Sequence, residues 1–202
     1  MNRLAAIVAL GTLVSCAQNN NTTIPAGGNP TSAAKATCYV VKQNPTTVKA
    51  TITFYGWPDN SPPGNQIAHP VIHKHAGGDG TYCNPTTFAT ERANNQTIPY
   101  GIKIYVPFIK QYFIREDLCA SSGPKRGSGG NGCHKLWFDL WIGGTAKSNK
   151  HAVIACERQL TPKGKVDVIL WPGSGLAVGH PGPIYRNQPP PNGTCDGRRQ
   201  SE

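Results

Sequence analysis

Thr97-Ile98-Pro99-Tyr100-Gly101-Ile102-Lys103-Ile104-Tyr105-Val106-Pro107 opens a central stretch of the chain. It continues through Arg115-Glu116-Asp117-Leu118-Cys119 and a glycine-rich loop to Trp137-Phe138-Asp139-Leu140-Trp141-Ile142-Gly143-Gly144. Ile102, Ile104 and Val106 alternate with Lys103 and Tyr105, the two-residue period of a half-buried strand entered through a proline-glycine turn. In the last piece Phe138, Leu140 and Ile142 share one face of a strand, and Trp137, Asp139 and Trp141 share the other. A carboxylate between two tryptophans is a site candidate. Aromatic faces stack on sugar rings and exclude water, and a carboxylic acid kept from water has a raised pKa and can protonate a glycosidic oxygen. The competing reading is a surface aspartate on an amphipathic strand, and Asp117 and Glu91 on neighbouring segments weigh against it.

Working outward, Val48 to Tyr55 alternates as a strand and runs into Gly56-Trp57-Pro58-Asp59-Asn60-Ser61-Pro62-Pro63-Gly64, a loop dense in turn formers. Tyr55 and Trp57 beside Asp59 read as the other wall of a sugar cleft, or as core aromatics at a strand end. Cys38 to Val41 and Thr86 to Glu91 read as short strands, and Phe108 to Asp117 as a strand or a helical turn. Ala152 to Cys156 and Lys165 to Trp171 read as apolar strands that close the sheet. His69, His73 and His75 lie in a segment without a carboxylate, so they read as surface residues; neither a metal site nor a cofactor is expected.

The length of 202 residues suits one domain with appendages, and 23 glycines, 18 prolines and only 15% charged residues point to a loop-rich all-β domain with little helix. Met1-Asn2-Arg3 followed by an apolar run from Leu4 to Val14 reads as a signal peptide over residues 1–16. Leu13-Val14-Ser15-Cys16 resembles a lipobox with Cys16 as the lipidated first residue of the mature chain; Ser15-Cys16-Ala17 as a simple cleavage site is the alternative. Residues 17–36 hold almost nothing a core could bury and read as a flexible tether, residues 37–172 as the barrel domain, and residues 173–202 as a proline- and glycine-rich tail pinned by Cys195.

Setting Cys16 apart from the seven cysteines leaves Cys38, Cys83, Cys119, Cys133, Cys156 and Cys195, an even set that implies disulfides in an exported chain. Cys119 and Cys133 bracket the loop at 121–132; the rest of the pairing stays open. The net charge of +10 suits an exported protein that meets a cell-wall glycan or another anionic polysaccharide. Export argues against nucleic acid, the membrane enters only through a lipid on Cys16, and a monomer is expected.

With those residues in place, residues 48–171 resemble the six-stranded double-psi β-barrels of the 3D domain, the lytic transglycosylase A barrel, and the expansin and family 45 endoglucanase barrels. Glu91 takes the place of the first acidic residue of the 3D pattern, Ile98-Pro99-Tyr100-Gly101 with Tyr105-Val106-Pro107 its core, Asp117 the second acid and Phe138-Asp139-Leu140 the third. Trp137 stands where the transglycosylase and expansin triplet has histidine, and Glu91 replaces an aspartate. The resemblance implies a disulfide-stapled double-psi β-barrel with loop insertions. It further implies a lytic transglycosylase or glycosidase-like enzyme with Asp139 as acid/base, assisted by Asp117; Glu91 joins the substrate side by that resemblance, and Tyr55, Trp57, Asp59, Trp137 and Trp141 by the reading of the residues themselves. The rival function is a non-catalytic expansin-like wall-binding module, or a secreted inhibitor, on the same barrel.

Overall fold

Alternation in the chain becomes alternation in space at β1 (Thr46–Tyr55), where Ala50, Ile52 and Phe54 are buried and Thr51 and Thr53 lie on the other face. The computed structural model describes residue 38 and residues 44–60, 62–119, 133 and 136–196. The signal peptide, the tether, Cys16 and the loop at 121–132 lie outside the described residues, as does the strand expected at Cys38 to Val41 except for Cys38 itself.

Five further strands follow, β2 (Thr86–Thr90), β3 (Lys103–Val106), β4 (Gln111–Leu118), β5 (Trp137–Trp141) and β6 (Val166–Leu170); β5 alternates as β1 does, and β2 and β4 are buried on both faces. They close into a barrel in the order β1-β5-β2-β4-β3-β6, with β6 returning antiparallel to β1. Two pairs are parallel, β1 with β5 and β2 with β4, and the others are antiparallel, which is the double-psi arrangement. The barrel interior is filled by Ile52, Phe54, Phe88, Ile104, Phe113, Phe138, Leu140 and Val168 among others. Each large apolar side chain so buried contributes about 1.5–3 kcal/mol.

One segment departs from expectation. Residues 152–156, read as a strand, belong to α1 (Lys150–Leu160). Five apolar residues in a row do not separate a strand from a buried helix face. Here the helix wins because Asn149 caps it, its side chain accepting from the N–H groups of His151 and Ala152, and because Val153, Cys156, Glu157 and Leu160 recur at helical spacing and face inward. α1 packs on β1.

Three disulfides join Cys38 to Cys83, Cys119 to Cys133 and Cys156 to Cys195. The last ties α1 to a two-stranded ribbon of β7 (Tyr185–Arg186) and β8 (Thr194–Cys195). Residues 173–182 lie along the barrel and not away from it. The Tyr112 hydroxyl donates to the carbonyl of Gly173, the Tyr105 hydroxyl to that of Ala177, and Gln111 Nε2 to that of His180.

Candidate active site

Register places one row of residues across four adjacent strands: Thr53 pairs with Asp139, Asp139 with Ala89, and Ala89 with Asp117. Directly paired residues share a face, so this row is a single strip of the outer barrel surface. Ala89 is the small residue between two acids, and with one strand between them the Cα atoms of Asp139 and Asp117 lie about 10 Å apart. A bulge makes this possible. The register of β2 on β4 jumps from Phe88↔Arg115 to Ala89↔Asp117, so Glu116 is the extra residue and Asp117 swings onto the face of Asp139.

Asp139 is half-buried, and Thr53 Oγ1 donates to its Oδ1 at 2.7 Å. Thr53 Oγ1 in turn accepts from Trp137 Nε1 at 2.9 Å, so indole, hydroxyl and carboxyl form one chain. Burial pushes the Asp139 pKa up to about 7, against the pull of the Thr53 hydrogen bond and with help from the charges of Asp59 and Asp117. At neutral pH the group therefore exists in both forms, as an acid-base catalyst requires.

Asp117 is held differently. Its Oδ2 accepts from the Tyr55 hydroxyl at 2.9 Å, and its Oδ1 from the N–H groups of Ala68 and Leu118 at 2.9 and 2.8 Å. Burial raises its pKa, while those three donors and the nearby His69 oppose the rise. Both oxygens are engaged, so Asp117 acts on Asp139 through its field.

The aromatic residues divide into two groups. Tyr55 and Trp141 are buried and meet edge to face, with ring centroids 5.2 Å apart. Trp57 and Trp137 pack against that pair and stay half-exposed. Beside Trp141 lies an open groove of about 390 Å³, lined also by Asn65, Gly78, Thr145, Arg186 and Asn187. Asp59, on the turn after β1, is exposed and its Oδ1 accepts from the Gly56 N–H at 2.8 Å. Glu91 stands at the N-cap position of the short 3-10 helix after β2 without a capping bond from its side chain, and its carbonyl accepts from the buried Arg115.

Two acidic residues escape a reading by sequence. Glu157, on α1, has its pKa pushed to about 9, by burial first and then by Asp59. Glu116 is fully buried; its Oε1 accepts from the N–H groups of Val71, Ile72 and His73, and its Oε2 contacts His73 Nδ1 at 2.6 Å. His73 is thus no surface histidine. It pins the 67–76 loop to β4, and its second ring nitrogen contacts Asn84 Oδ1 at 2.8 Å. The helical spacing of Glu157 with Val153 and Leu160 was the available signal for the first; nothing short of the bulge announces the second.

Comparison with known proteins gives a family and no activity. The relative found is an uncharacterised protein of Dictyostelium discoideum, DDB_G0273701/DDB_G0273221, 40% identical over 141 residues, which are 69% of this chain and 58% of the relative. The chain thus spans somewhat more than half of that relative's length. No solved structure matches it. The family model described as the DDB_G0273701 N-terminal domain matches residues 47–196, which takes in the whole barrel, α1 and the β7–β8 ribbon, and the chain belongs to that family.

Proposed function

We propose that this protein is exported and cleaves a cell-wall polysaccharide, with Asp139 as the acid that protonates the glycosidic oxygen. The observation that carries the reading is the Asp139 carboxyl itself. It is oriented by Thr53, flanked by Trp137, and raised to about 7 by burial and neighbouring acids. The likeness of Trp137-Phe138-Asp139, with tryptophan in place of histidine, to the acid-bearing triplet of transglycosylase and expansin barrels supports the same role. Three disulfides support an oxidising compartment and hence export, and the net charge of +10 suits an anionic glycan. A lipid on Cys16 would hold the mature chain at the cell envelope.

Asp139 gives its proton to the leaving oxygen as the C–O bond breaks. In hydrolysis a second carboxylate must accept a proton from the attacking water. Asp59 suits that part better than Asp117, because it is exposed to water and its charge acts on Asp139, whereas Asp117 is buried. In the transglycosylase variant the sugar's own hydroxyl attacks and no base for water is needed.

The engagement of Asp117 also favours a second reading, a non-catalytic expansin-like module that binds wall through Trp57 and Trp137. Incubating the purified chain with peptidoglycan, chitin and cellulose separates the possibilities. New reducing ends indicate hydrolysis, anhydro-muropeptides indicate transglycosylation, and binding without either product contradicts the catalytic reading.

A further inference from the structure

The inner face of α1 presents a carboxyl group that the cleavage reading leaves unused. Glu157 is 7% exposed, and its Oε1 has no hydrogen-bond partner among the described residues. That oxygen lies against the end of β1, where a Cβ on Gly56 would stand 3.2 Å from it and 2.6 Å from Val153 Cγ1. Only glycine lets the helix come this close. The Gly56 N–H is bonded to Asp59 Oδ1 at 2.8 Å, so the carboxyls of Glu157 and Asp59 both stand against Gly56, where each charge opposes the other. Two carboxyls brought together at one glycine, one of them buried, favour a single proton held by the pair.

Its location follows from the surroundings. Asp59 is exposed and takes the Gly56 N–H, whereas a charge on Glu157 would sit away from water with one oxygen unsatisfied. The other charges facing Glu157 are Asp139 from β5, which also favours its neutral form, and Arg158 from its own helix, which opposes it. The proton therefore stays on Glu157 across neutral pH.

We propose that Glu157 is a positioning residue of the glycan-cleaving site, a neutral carboxylic acid whose O–H donates to Asp59 and fixes Asp59 as an oriented carboxylate for activating water. The proposal rests on the reading of Asp139 as the acid and on cleavage by hydrolysis, so anhydro-muropeptides as the sole product overturn it. Asp139 passes its proton to the leaving oxygen, which keeps the electron pair of the broken C–O bond. Water forms the new C–O bond and gives its proton to Asp59, and solvent returns a proton to Asp139. Glu157 keeps its proton throughout.

The test uses the full chain with Glu157→Gln and Glu157→Leu. Glutamine is neutral and can still donate, so Glu157→Gln should keep kcat within about twofold, whereas Glu157→Leu should lower it about tenfold or more with KM little changed. Carboxyl-carbon NMR, which needs no turnover, should show Glu157 titrating near pH 9. The Asp59 resonance should respond at the same pH, and that response should vanish in Glu157→Gln. Glu157 titrating in the ordinary carboxylate range, or Glu157→Gln as impaired as Glu157→Leu while the wild type is active, overturns the role of Glu157 alone. No turnover by the wild-type chain on any wall glycan overturns the cleavage reading, and this role with it, whatever the titration shows.

Discussion

Thr53 and Asp139, 86 positions apart in sequence, are direct partners across the parallel β1–β5 pair and are joined by a 2.7 Å hydrogen bond. The bond orients the carboxyl and, of the forces on it, is the one that lowers its pKa. Thr53→Val keeps the shape and removes the donor. The alkaline limb of the pH–rate profile, set by Asp139 near 7, should then move upward, with kcat reduced about tenfold through lost orientation. A limb that stays in place would mean that Asp139 is not the group titrating in the rate.

Stability should fall as pH rises from about 5 to 9. Asp139 and Glu157 have raised pKa values, to about 7 and about 9, so the folded chain holds protons that the unfolded chain releases from about pH 4 upward. His73, raised by Glu116, contributes stability that is present below about 6.5 and lost as pH climbs through its folded value. Glu116 works in the opposite sense. Burial raises its pKa, the His73 ring and the His73 and Ile72 N–H groups outweigh that, and its net lowered value adds stability that disappears as pH drops below the carboxylate range. Thermal unfolding across pH should show this maximum on the acid side of neutral, and Glu157→Gln should flatten the decline between 7 and 9. A Tm that climbs steadily from pH 5 to 9 would contradict the assignment.

The Cys156–Cys195 bridge spans 39 positions and fastens the β7–β8 ribbon to α1. Replacing both cysteines with alanine should cost about 2–4 kcal/mol in denaturant unfolding. The barrel strands do not depend on that bridge, so limited proteolysis should cut first within residues 173–196. Cleavage starting in the barrel would show that the ribbon has no such dependence.

β1 and β5 were legible because they are half-buried, so the two-residue period of Ile52 and Phe54 or of Phe138 and Leu140 is imposed by the core itself, whereas β2 and β4 are buried along nearly their whole length and carry no such alternation. Register was not legible. The pairing of Ala89 with Asp139 and with Asp117 depends on closure of the whole barrel and on a bulge at Glu116, neither of which leaves a local pattern. α1 was missed because Ala152 to Cys156 is apolar without interruption, and with it went Glu157, a polar residue in a buried stripe. Tyr55 and Trp141, both expected against substrate, meet edge to face on the outer barrel surface, and Trp141 also lines the groove beside it.

Asp117 should matter less than Asp139. Asp117→Asn removes a charge that raises the Asp139 pKa and disturbs the contacts to Tyr55, Ala68 and Leu118, so the rate should fall modestly, by about tenfold, with the alkaline limb moved downward. Loss as complete as for an acid catalyst would move the catalytic role to Asp117.

The most direct measurement is product release from isolated cell walls by Asp139→Asn beside the wild-type chain, with folding checked by thermal unfolding and binding by sedimentation with wall material. Asparagine preserves shape and removes the transferable proton, so cleavage should drop by a factor of about a hundred or more while Tm and wall binding stay near wild type. Unchanged release of reducing ends or anhydro-muropeptides by a folded Asp139→Asn protein would contradict the account.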